Sequence, residues 1–147
     1  MAYITNADIE ERLGADAYVQ LTDDDGNGAA DESVVDEARL GAEGEVDSYL
    51  AKRYEVPVDV AAHPALAPIL ATITLDLVEY RLRSRRPPAP EESEQAAERA
   101  RAWLARVAED SVELSGADRL ESSNVPGPIS GTMGETRILS HDELADH

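Results

Sequence analysis

"HPALAPILATITLDLVEYRLRSRR", residues 63–86, is the most apolar stretch of the chain, and its spacing decides the fold. Pro64 and Pro68 fall where the first turns of a helix would lie, the place where a missing N–H costs least. The regular helix is therefore expected from about Ala65 to Ser84, and the "RPPAP" that begins at Arg86 is a hard stop and a short rigid linker. Leu66, Ile69, Leu70, Ile73, Leu77, Val78 and Tyr80 spread over more than one face of such a helix. A helix that is apolar on several faces belongs in the middle, with other helices around it. The stretch predicts an all-α protein.

The segments on either side supply the neighbours. Downstream, Glu91 and Glu92 place negative charge at the start of a helix, where the dipole favours it. Ala97, Ala100, Leu104 and Val107 form its stripe, with Trp103 beside it, and the helix ends near Ala108. Upstream, Val35, Ala38, Ala42, Val46, Tyr49 and Leu50 follow three- and four-residue steps in a helix capped by Asp31 or Ser33 and reaching roughly Arg53. Gly41 and Gly44 each weaken it by roughly 1 kcal/mol relative to alanine, and are read as points of close helix packing. "RYEVPVD" then turns the chain into an extended connection. Nearer the N-terminus, Thr5 and Asp8 resemble a capping box for a short helix from Asn6 to Leu13 that Gly14 can end. A further turn of helix is expected from Asp16 to Leu21.

From Ser115 the pattern changes. "SGADRLESSNVPGPISGTMGETRILSHDELADH" is turn-rich, has few apolar residues and keeps no period, so it reads as an extended arm. Ser140 followed by Glu143 marks a short terminal helix or a docked tail near its end. The expected architecture is a compact bundle of about four main helices over residues 1–114 with a long extended C-terminal arm over residues 115–147.

Composition narrows the function. The 147 residues suit one domain, and no cysteine is present for disulfide or thiolate chemistry. No run is long enough to cross a bilayer, and the N-terminus lacks the basic and apolar blocks of a signal peptide, so no membrane role is expected. Asp and Glu number 31 against 13 Lys and Arg, a formal net charge of -18, and Lys52 is the only lysine. Such a surface repels phosphate and argues against binding free nucleic acid. It suits a cytoplasm crowded with salt, where screening removes self-repulsion, so a halophilic source is expected.

Four constellations could carry chemistry. In "TDDDGNGAADESV", residues 22–34, Asp23, Asp25 and Asn27 stand at positions 1, 3 and 5 of a calcium loop, Gly28 at 6 and Asp31 at 9. Position 12, where a bidentate Glu belongs, is Val34. The plainer reading is a surface turn built on Asp-Gly and Asn-Gly, leaving no cofactor. Arg81, Arg83, Arg85 and Arg86 form the one basic cluster, which suits either a partner contact or a charged helix C-terminus. His63, His141 and His147 are too scattered for a metal site, and Tyr49, Tyr54, Tyr80 and Trp103 are expected in core packing. No nucleophile elbow, phosphate loop or dinucleotide fingerprint occurs, so the protein is not expected to be an enzyme.

Taken in order, "AYITNADIEERLG", "ADESVVDEARLGAEGEVDSYLAKRYEVPV", the central "HPALAPILATITLDLVEYRLRSRR" and "AERARAWLARVAEDSVEL" resemble the Mu-like phage family of small helical head-to-tail connectors. The resemblance runs roughly from Ala2 to Leu114 and is most specific at Tyr49, Leu50, Arg53, Tyr54 and Pro57. The tail "TRILSHDELADH" is similar to the family's Arg-apolar-Ser-Xaa-Asp-Xaa-Leu ending. That likeness implies partner contacts at Arg137, Ile138, Leu139 and Leu144. His141 replaces the usual basic residue, and the final glycine-aromatic element is missing. The resemblance implies a structural virion protein, assembled in the host cytoplasm and located in the neck. Its partners would be the portal protein, neighbouring copies in a ring, commonly a dodecamer, and a tail-side connector or tail terminator. DNA would pass through the channel without sequence-specific binding. The competing expectation is a small calcium-binding or regulatory helical module with the acidic loop as its sensor.

Overall fold

The Thr5 hydroxyl accepts the N–H of Asp8 while the Asp8 carboxylate accepts the N–H of Thr5, so the first helix begins on the predicted capping box. The computed structural model describes residues 2–121. In order, they form α1 (Asn6–Leu13), α2 (Ala15–Thr22), α3 (Glu32–Leu50), α4 (Ala67–Ser84) and α5 (Glu91–Ala108). The fold is all-α, with three long helices and two of eight residues each.

The apolar stretch at 63–86 is indeed the centre. Helix α4 packs against α3 and α5, and α1 and α2 cover the sides that remain. Leu70, Leu77, Val78 and Leu82 are fully buried, as are Val35, Ala42, Val46 and Leu50 of α3 and Ala97, Leu104 and Val107 of α5. Two expectations shift by local geometry. Helix α4 starts at Ala67 rather than Ala65, because residues before it form turns, with the Asp59 carboxylate accepting the N–H groups of Ala61 and Ala62. Ile69 is 38 % exposed, whereas Leu82, hidden in the arginine run, takes a core position on the inward face.

The two helical glycines part company. A Cβ at Gly41 would meet the Arg81 guanidinium at 3.0 Å, so this glycine makes room for a charged side chain. Gly44 faces open space and permits no close packing, contrary to the sequence expectation. Asp31 precedes α3, but its carboxylate accepts the N–H of Asp24 and makes no cap bond.

The C-terminal end of α3 is tied to distant chain. Tyr3 is buried, its hydroxyl donating to Asp47 and accepting the N–H of Val58 at 2.9 Å. Burial first, and then the hydrogen bond to Asp47, push this phenol well above its ordinary pKa. The connection after α3 bends at Val56 and Pro57 instead of running extended there, and a short stretch of the later chain pairs with its start. Leu120 N–H donates to Arg53 O at 3.0 Å, Glu55 N–H donates to Asp118 O at 2.9 Å, and Tyr54 and Arg119 form an antiparallel bridge. Residues assigned by sequence to the arm thus remain fastened to the body as far as Leu120. Arg137, Ile138, Leu139, Leu144 and the terminal helix expected at Ser140 lie outside the described residues, as do His141 and His147.

Candidate functional site

The arginine run at the end of α4 divides its work between two places. Arg81 donates to Glu45 of α3 at 2.8 Å, and Arg101 of α5 donates to the other oxygen of the same carboxylate at 2.6 Å. Glu45 therefore joins the three long helices through one side chain, which is only 16 % exposed. The Arg101 guanidinium also lies over the Tyr80 ring, 5.4 Å from its centroid. Arg83 pairs with Glu79, which also holds Arg12 of α1. Arg85 and Arg86 reach the other way: Arg85 binds the Leu21 carbonyl and Asp24, and Arg86 the Asp23 carbonyl. Between these groups runs an open groove of about 440 Å³ floored by Val34 and Ala38 and edged by Arg81, Arg85 and Arg101.

Burial alone would raise the Glu45 pKa. The hydrogen bonds and charges of Arg101 and Arg81 outweigh it and hold the group below the usual carboxylate range. A lowered folded-state pKa gives stability that is present above the unfolded value and lost as pH falls through the folded one. Glu45→Gln should therefore flatten the acid limb of the stability curve. Urea melts across the acid range check this: parallel limbs for both proteins would remove Glu45 from the account.

A second site is the root of the arm. Tyr54 is 1 % exposed, and its hydroxyl accepts the N–H of Leu114 at 3.0 Å. The Arg119 guanidinium lies 6.0 Å from the Tyr54 ring centroid, and Arg53 and Arg119 both pair with Asp110. The arm thus leaves the body at a fixed point beside the end of α5. The family model described as "Bacteriophage Mu, Gp36" matches residues 3–129, which include the whole helical body and this root. The chain belongs to the bacteriophage Mu Gp36 family. The comparison with curated proteins gave no match.

In this Gp36-family protein the acidic loop is organised around its own backbone. The Asp23 carboxylate accepts N–H groups from Gly26 at 2.7 Å, Asn27 at 3.2 Å and Gly28 at 2.9 Å. Gly26 and Gly28 have φ of 71° and 83°, the left-handed backbone that lets those N–H groups converge. The Gly28 N–H bond is the chief cause of a lowered Asp23 pKa, while the charge of Asp31 chiefly raises that of Asp25. Asn27 accepts the N–H of Ala29, and Val34, at the twelfth loop position, packs against the core. Asp23 thus closes an Asx-type turn on the loop's own N–H groups. Among the described residues no group of three or more His, Cys, Asp and Glu could hold a metal ion.

This arrangement separates two aspartates that look alike in sequence. Asp23→Ala should lower the melting temperature, since three N–H groups lose their acceptor. Asp25→Asn should raise it or leave it unchanged, because a like-charge repulsion is removed. Thermal melts of the two variants decide, and equal losses would show that the loop is held some other way. His63 lies 3.4 Å from Asp118, tying the turn before α4 to the arm root. Sequence reasoning missed Tyr3, Glu45, Arg101 and Arg119, whose partners lie far along the chain and leave no local pattern.

Proposed function

We propose that this Gp36-family protein is a head–tail adaptor, a structural component that assembles as a ring beneath the portal and extends the DNA channel towards the tail. Family membership over residues 3–129 carries the reading. The clamp formed by Arg53, Tyr54 and Arg119 supports it, because a rigid body with an arm leaving at a fixed point suits a ring subunit that reaches a neighbour or the portal. The role is structural rather than catalytic, and the neck of the virion is its place. Tail-side connector proteins are the further partners of this reading. The charge of -18 would let DNA slide past without sequence-specific contact, and we read it as the mark of a halophilic host. On that reading the melting temperature in molar KCl should exceed the one in dilute buffer.

Co-expression with the portal protein of the same phage tests the assignment. A chain ending after Glu121 keeps every described hydrogen bond, so it should fold like the full chain yet fail to sediment with the portal. Portal binding by both forms would remove the arm from the interface, and binding by neither would overturn the adaptor reading.

A further inference from the structure

Among the described residues, eight of the arginines are held in ion pairs with carboxylates. Arg99 and Arg106 of α5 pair with no carboxylate among those residues, despite the surplus of acid around them. Both are exposed, and with Trp103 they follow four- and three-residue steps, so the three line one edge of the helix. The edge runs about 10 Å from Arg99 to Arg106 at the helical rise of 1.5 Å per residue. The sole tryptophan of the chain is half-buried between the two cations. Tryptophan and arginine together are the residue types that most often anchor an interface.

The rest of the chain begins close by. Leu120 is bonded to Arg53, which pairs with Asp110, and Asp110 follows Arg106 by four residues. Beyond Glu121, the remaining sequence holds Glu135, Asp142, Glu143 and Asp146 against the single Arg137. Its last stretch, "SHDELADH", also carries Leu144 among the acids. Tethering at the end of α5 makes the contact intramolecular, with an effective concentration on the order of millimolar. The reach from Glu121 to Asp142 is up to about 3.3 Å per residue, far more than the edge requires.

We propose that the Arg99–Trp103–Arg106 edge of α5 receives the acidic end of the same chain's arm, with Asp142, Glu143 and Asp146 supplying carboxylates to the two guanidinium groups and Leu144 an apolar contact to the indole. The free subunit then carries its arm stored on its own body, and a partner must displace it to engage it. The proposal does not depend on which partner that is.

The single tryptophan gives the readout. In the full chain, acrylamide quenching of Trp103 fluorescence is expected to rise roughly twofold when Asp142→Asn, Glu143→Gln and Asp146→Asn are combined, as the indole loses its cover. Arg99→Glu with Arg106→Glu should do the same, and adding Asp142→Lys with Glu143→Lys to that variant should restore protection. A structural disturbance of α5 would not be rescued in this way. Quenching should be independent of protein concentration, since the contact is within one chain. Unchanged quenching in the neutralised arm, or failure of the charge-reversed pair to recover, overturns the proposal. Protection that disappears on dilution overturns the same-chain assignment and gives the edge to a second copy. Duplex DNA of random sequence, added to the neutralised arm variant at low salt, should leave the fluorescence unmoved; protection by DNA would mark the edge as a phosphate contact instead.

Discussion

Tyr54→Ala is expected to destabilise the protein by about 3–5 kcal/mol, the range for deleting a fully buried aromatic side chain. The residue joins four things at once: the end of α3, the N–H of Leu114, the Arg119 guanidinium and the antiparallel bridge to the arm root. Removal leaves a cavity, strands the Leu114 N–H and takes away the surface on which Arg119 rests. Tyr54→Phe separates these effects. It keeps the ring and the cation contact but leaves a buried N–H without its acceptor, at a cost of about 1–3 kcal/mol. Urea unfolding gives both numbers. Hydrogen exchange at Leu114, Glu55 and Leu120 reports the local part, because those amides are held by this junction. In Tyr54→Phe, Leu114 should lose protection while Glu55 and Leu120 keep theirs. Loss at all three would mean that the hydroxyl, rather than the backbone pairing, fastens the arm root.

The helices were legible because their signal is local. Apolar residues three and four apart in α3, α4 and α5 reveal a buried stripe without reference to anything outside the helix, and the capping box at Thr5 is equally self-contained. The ties between elements were not legible. Tyr3 meets Asp47, and Glu45 meets Arg81 and Arg101, across separations that periodicity does not register. The arm boundary failed to show for a related reason. Side-chain pattern fades after Leu114, but residues 118–120 are held by backbone hydrogen bonds, to which many sequences are equivalent. The acidic loop was ambiguous in principle, since Asp and Gly at these spacings suit a cation cage and an Asx turn alike. The contacts of the Asp23 carboxylate with the N–H groups of Gly26, Asn27 and Gly28 are the part that spacing alone does not announce.

Leu77→Ala should cost about 2–5 kcal/mol, with the upper half of the range expected because the site cannot collapse. Leu77 is fully buried in the middle of α4, the helix that every other helix touches, so no loop or helix end is free to move into the space. At roughly 2–4 °C per kcal/mol for a chain of this size, the melting temperature should fall by about 10 °C. Ile69→Ala is the matching control on the same helix. Its side chain keeps 38 % of its surface in water, and truncation opens the site to solvent instead of leaving a closed cavity, so its loss should be the smaller one, about 1 kcal/mol. The contrast tests the reading of α4 as the central helix more sharply than either variant alone. A helix on the outside of a bundle has one costly face, and substitutions around it alternate between severe and mild. A central helix is costly on several faces, so Leu82→Ala, about 140° around the axis from Leu77, should join Leu77→Ala and its same-face neighbour Leu70→Ala. Melts of the four variants resolve this directly, and a mild loss at Leu82 would return α4 to the edge of the bundle.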